Sequence, residues 1–141
     1  MEQEWKKTLQ QGLEDEMNSA VQYTQLAGQY GDIAVKKAFL GYAMEELRHA
    51  QKILSMFEEQ AEEPDKVSIA LAEQEDLFLS LVEYLAKEEA AIFYYKVLQE
   101  LEMRTETKEI CRLIKEEEEE HLQKIGTLYQ RLKSGELHGD E

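Results

Sequence analysis

The nine residues EELRHAQKI at 45–53 return as EEEEHLQKI at 117–125, an offset of 72. The same offset carries Glu16 to Glu88, Tyr23 to Tyr95, Glu46 to Glu118 and His49 to His121. A repeat of that length is one supersecondary unit made twice. Apolar residues recur every three or four positions over 3–29, 32–60, 75–102 and 105–134, which predicts four helices. One proline and seven glycines leave few breaks between them. The chain therefore reads as two helical hairpins, 3–60 and 75–134, within a single domain over 1–134. Gly28, Gly31 and Asp32 suit the first turn and its N-cap, and Thr105 suits the cap of the last helix.

Each helix has one inward stripe, and each stripe is interrupted by polar groups. The first runs Leu9, Leu13, Glu16, Ala20, Tyr23 and the second Phe39, Tyr42, Glu46, His49, Ile53. The third runs Leu81, Leu85, Glu88, Ile92, Tyr95 and the fourth Ile114, Glu118, His121, Ile125. Five consecutive glutamates at 116–120 sweep a whole helical circumference at about 100° each. Ile114 and Ile125 fix the buried face, so Glu118 is the one turned inward. Glu16 and Glu46 lie 15 residues either side of Gly31, and Glu88 and Glu118 lie 15 either side of Met103. Equal distances from a turn set two residues at one height in an antiparallel hairpin. Four carboxylates and two imidazoles are thus expected in one layer of a four-helix bundle.

The stretch 61–74 holds the only proline. Fifteen extended residues reach about 50 Å, and a 28-residue helix is about 42 Å long. The stretch is therefore expected to cross the bundle's full length. The tail 135–141, with His138, is expected to be disordered and solvated.

Four ionised carboxylates cannot share an apolar core unaided, because burial and mutual repulsion each oppose ionisation. Two divalent cations balance them. Carboxylate oxygens with one imidazole per ion suit iron or manganese, and zinc also binds such sets. A Glu and a His three apart on a helix can grip one ion, and the spacing alone leaves open which carboxylates bridge.

Two ExxH pairs, each preceded by a glutamate at an identical 30-residue interval, form the di-iron pattern of ferritin-like bundles. The sequence resembles the ferritin-like superfamily over roughly residues 5–132, in particular rubrerythrin-type and bacterioferritin-type domains. That resemblance implies an all-α ferritin-like four-helix bundle holding two iron ions per chain. It implies six ligands: Glu16, Glu46, His49, Glu88, Glu118 and His121. Glu16 and His49 would hold one ion, Glu88 and His121 the other, and Glu46 and Glu118 would bridge. Tyr23 and Tyr95 would donate to ligand carboxylates, and Glu45 and Glu117 are candidates to accept from the outer imidazole N–H. The implied activity is a di-iron oxidoreductase that oxidises Fe(II) or reduces hydrogen peroxide or dioxygen. Iron storage without turnover and a metal-stabilised structural bundle are the alternatives.

The chain departs from the family in three places. Rubrerythrins carry a further ligand glutamate where Ala91 stands, which puts their carboxylate exchange in doubt. The lone Cys111 excludes a rubredoxin-like CxxC module, so the electron donor is expected to be a separate molecule. Leu47 occupies the position of the bacterioferritin haem-ligating methionine, so no haem is expected. Cys111 lies two turns from Glu118 and reads as a core residue.

The formal net charge of −15 excludes nucleic acid and anionic membranes as expected partners. No apolar run approaches the roughly 20 residues that span a bilayer, and the first residues lack a signal peptide's apolar stretch. The expected location is the cytoplasm. The second helix has another apolar stripe, Leu40, Ala43, Leu47, Ala50, Leu54 and Phe57, whose counterpart on the fourth is mostly polar. An apolar stripe on one hairpin alone predicts a homodimer through the second helix and part of the first, with cover by the 61–74 crossover as the alternative.

Overall fold

A computed structural model describes residues 2–73, 76–101 and 104–136. The pivot Met103, the expected helix start at residue 75 and residues 137–141 of the tail, with His138, lie outside the described residues. Four helices, α1 (Glu2–Gln29), α2 (Ile33–Glu59), α3 (Leu77–Glu100) and α4 (Thr105–Lys133), build the chain, with no strand among the described residues. The fold is the four-helix bundle that the periodicity predicts. α1 packs along α2 and α3 along α4 as hairpins, and lateral contacts join α1 to α3 and α2 to α4.

Helix ends follow local chemistry. Asp32 accepts from the Ala34 and Val35 amides at 2.8 and 3.2 Å and starts α2. Asp76 does the same for Phe78 and Leu79, which sets the start of α3 at Leu77. Thr105, expected as a cap, is the first helical residue of α4 instead. Arg104 takes the N-cap position with no side-chain hydrogen bond, and Glu106 supplies first-turn negative charge.

The apolar interior forms two clusters. One gathers Tyr23, Val35, Phe39, Leu81 and Ile125, and the other Leu9, Ile53, Met56, Leu98 and Ile114. Cys111 belongs to the second cluster, with Sγ 3.4 Å from Met56 Sδ, and Trp5 packs on Phe57 with ring centroids 6.4 Å apart.

The crossover runs beside α1 in an extended form. Gln10 exchanges two hydrogen bonds with the backbone of Asp65, and Gln25 two with Ala72. Between them Asn18 reaches Ser68 and Ala70, and Gln22 donates to the Ala70 carbonyl. From Gln10 to Gln25 the helix advances about 22 Å at 1.5 Å per residue. From Asp65 to Ala72 an extended chain advances about 23 Å at 3.3 Å per residue. The two rises match, so one row of side-chain amides satisfies the crossover along its length.

With the crossover on α1, the outer face of α2 stays bare. Leu40, Met44, Leu47 and Leu54 are 45%, 58%, 52% and 42% exposed. The expected stripe requires correction: Ala43, Ala50 and Phe57 are buried in the core. Each follows a leucine by three residues, about 60° round the helix toward the inner side, where the bundle closes over it. α3 has apolar residues on both faces, and Leu79, Val82 and Phe93 are exposed. Among the described residues no helix is long and apolar enough to cross a membrane.

Candidate metal centre

Each helix delivers its share of the polar layer at mid-height. α1 supplies Glu16, α2 supplies Glu46 and His49, α3 supplies Glu88, and α4 supplies Glu118 and His121, all buried. The ligand-type atoms fall into two overlapping groups, within each of which every atom lies within 4.8 Å of the others. One is Glu16, Glu46, His49 and Glu118, and the other is Glu46, Glu88, Glu118 and His121. Glu46 and Glu118 belong to both.

The duplication in sequence is a two-fold relation in space. His49 Nδ1 lies 3.0 Å from Glu118, 3.5 Å from Glu16 and 3.9 Å from Glu46. His121 Nδ1 lies 3.1 Å from Glu46, 3.2 Å from Glu88 and 3.8 Å from Glu118. Exchanging the hairpins maps each distance onto its twin within 0.3 Å.

These contacts are close, yet they lack hydrogen-bond geometry. Both Nδ1 atoms, both oxygens of Glu118 and one oxygen each of Glu16, Glu46 and Glu88 are buried without a hydrogen-bond partner. Left so, each costs about 1–3 kcal/mol, and more when charged. A pair of cations between the two groups would meet all of them at once, so the residues present fit a dimetal site.

Without cations, protons take that role. Burial disfavours charge on both imidazoles, but the surrounding carboxylates outweigh it. Glu118 and Glu16 raise His49 to about 11, and Glu118 and Glu88 raise His121 to about 9. Burial pushes Glu88 up to about 8, partly offset by His121. Burial also raises Glu16 and Glu46. Glu118 goes the other way: the two imidazoles overcome its burial and hold it near 2.

The tyrosines cross between hairpins. Tyr95 of α3 donates to Glu16 Oε2 at 2.6 Å, and Tyr23 of α1 donates to Glu88 Oε1 at 3.3 Å. Outside the layer the two halves differ. His49 Nε2 meets Glu117 Oε1 at 2.8 Å, and Lys52 donates to the same oxygen at 3.2 Å. With Nε2–H as donor, it is Nδ1 that is freed toward the carboxylates when the imidazolium gives up a proton. In the other half, Lys124 stands 3.7 Å from Glu45, while His121 Nε2 and Glu45 Oε1 have no hydrogen-bond partner. The Tyr42 ring covers His121, with centroids 4.5 Å apart. Lys52 and Lys124 went unnoticed in the sequence, although the same offset of 72 pairs them.

No protein-family model and no curated protein matches the chain. Among solved structures it is similar to a dodecameric thioferritin, the bacterioferritin-related protein from Bacteroides fragilis. The TM-score is 0.74 at 25% identity, over 93% of this chain and 89% of that one. It is also similar to a hypothetical protein from Pyrococcus furiosus, with a TM-score of 0.75 at 19% identity over 92% and 90% of the two chains. The bundle and its duplicated carboxylate–histidine layer make a ferritin-like fold, similar to that of the bacterioferritin-related neighbour.

Proposed function

We propose that the chain is a di-iron protein that oxidises ferrous iron, or reduces hydrogen peroxide or dioxygen, at the buried carboxylate layer. The observation that carries this reading is the pair of overlapping ligand groups with matched distances and unpaired donor atoms. When bound, two iron ions supply two electrons to an oxidant at a single site. The side chains set the rest. His49 and Glu16 would hold one ion and His121 and Glu88 the other, with Glu46 and Glu118, which belong to both groups, available to each. Tyr95 and Tyr23 fix the rotamers of Glu16 and Glu88 through their hydroxyls. Glu117 and Lys52 orient His49. The apolar clusters above and below shield the layer along the bundle axis. Electrons return from a separate donor molecule.

The test is anaerobic loading with Fe²⁺ followed by rapid mixing with hydrogen peroxide or dioxygen. Oxidation of two irons per chain in a fast absorbance transient is expected. Protein that binds iron and shows no transient with either oxidant would overturn the oxidoreductase reading.

Iron storage is the second reading, favoured by the net charge of −15 and the dodecameric thioferritin neighbour. It predicts far more than two irons per chain after aerobic loading. Saturation at two supports turnover instead.

A further inference from the structure

A cleft of about 170 Å³ lies between α1 and α3 and leads to the carboxylate layer. Its lining grades from exposed Gln11, Lys87 and Ala90 to buried Glu16, Glu46 and Glu88. Much of it is paired by the duplication: Asp15 with Lys87, Glu16 with Glu88, Asn18 with Ala90, and Ser19 with Ala91. The cleft therefore straddles the pseudo-two-fold axis and approaches both halves of the layer alike. It is open because Ser19, Ala90 and Ala91 are small. The other lateral face differs. The α2–α4 groove is lined by Tyr42 and Leu128 and by none of the six layer residues.

We propose, on the di-iron reading above, that the α1–α3 cleft is the route by which reactants reach the layer and that it selects them by size and charge. A cavity of roughly 150 Å³ holds a molecule no larger than benzene. Dioxygen, hydrogen peroxide and a divalent cation fit, and a bulky aryl hydroperoxide does not. Asp15 at the rim and three glutamates at depth, which offer oxygen donors to an arriving cation as they lose their protons, outnumber the single cation, Lys87, so the cleft favours cations over anions. Lys87 is itself tied to Gln22 at 2.8 Å, and Gln22 to the Ala70 carbonyl of the crossover at 3.1 Å. Its charge is thus fixed at the cleft's edge.

Cobalt(II), read by its visible absorption, tests the route without redox chemistry. Ala91→Leu and Ser19→Leu narrow the cleft from opposite helices. Gly41→Leu projects from α2 into the other groove, where an added Cβ meets nothing within 4 Å. Both cleft variants are expected to reach the wild-type end point of two ions per chain but to load about tenfold or more slowly, since entry then waits on opening of the bundle. Gly41→Leu is expected to load at the wild-type rate. Unchanged rates in folded cleft variants, or slowing by Gly41→Leu alone, would overturn the route while leaving the metal reading intact. No cobalt at the wild-type end point would overturn both. Size selection needs no variant: ferrous wild-type protein should react about tenfold or more faster with hydrogen peroxide than with cumene hydroperoxide. Equal rates would overturn the filter.

Discussion

At the scale of single residues, what a side chain can do here depends on how many partners it meets. Glu118 approaches both imidazoles, whereas His121 belongs to one group only. His121→Ala is therefore expected to lower cobalt(II) binding from two ions per chain to one, and Glu118→Ala to weaken both, as an equilibrium titration would show. Proton linkage follows from the same contacts. His49 and His121 are raised to about 11 and 9 and Glu88 to about 8, so all three hold protons at neutral pH when no cation is bound. Ligation needs the deprotonated forms. Cation binding should release protons, and apparent affinity should rise with pH between 6 and 9; titration in buffers of different ionisation enthalpy measures that release. The inward turn of all six residues was legible, because apolar neighbours three and four positions away fix the face. The inequality of the halves was not. Glu45 and Glu117 are equivalents by the offset of 72, yet only Glu117 reaches an imidazole. Side-chain reach across helices leaves no trace in spacing.

Among the elements, the helices were legible and their ends less so, because capping is decided by one side chain. The end of α2 is informative. Glu62 N–H reaches the Phe57 carbonyl and Ala61 N–H that of Glu58, both at 3.0 Å, a Schellman closure with Ala61 at φ 56°. α4 ends the same way with Gly135 at φ 85°. A non-glycine residue in the left-handed region costs about 1–2 kcal/mol. Ala61→Gly is thus expected to stabilise the protein by about 1 kcal/mol, less what glycine adds in unfolded-state entropy, as chemical denaturation would show. The crossover's length followed from residue count and helix rise. Its placement on α1 did not, because Gln10, Asn18, Gln22 and Gln25 read as solvated amides until a backbone lies beside them.

The whole molecule presents apolar seams that one chain leaves uncovered. Leu40, Met44, Leu47 and Leu54 follow the four-and-three spacing of a helix–helix seam. We propose that α2 pairs with α2 of a second copy about a two-fold axis. Leu47→Lys should reduce the sedimenting mass at micromolar concentration while leaving cobalt binding intact; a wild-type monomer under those conditions would contradict the pairing. Leu79, Val82 and Phe93 on the diagonally placed α3 form another seam that this substitution does not touch. Sequence periodicity located the apolar face of α2 to within one position. That offset moved Ala43, Ala50 and Phe57 into the core and brought Met44 out. On α3 apolar residues lie on both faces, so the outward seam did not stand out beside the inward stripe.

Two copies of one hairpin converge on two ligand groups that share Glu46 and Glu118, and the proposed pair of cations would occupy them. Anomalous diffraction at the iron edge, from crystals loaded with Fe²⁺, tests it most directly. Two peaks per chain are predicted, about 3.5–4 Å apart, one beside Glu16 and His49 and one beside Glu88 and His121. A single peak, or peaks only at the acidic surface, would rule out a dimetal layer.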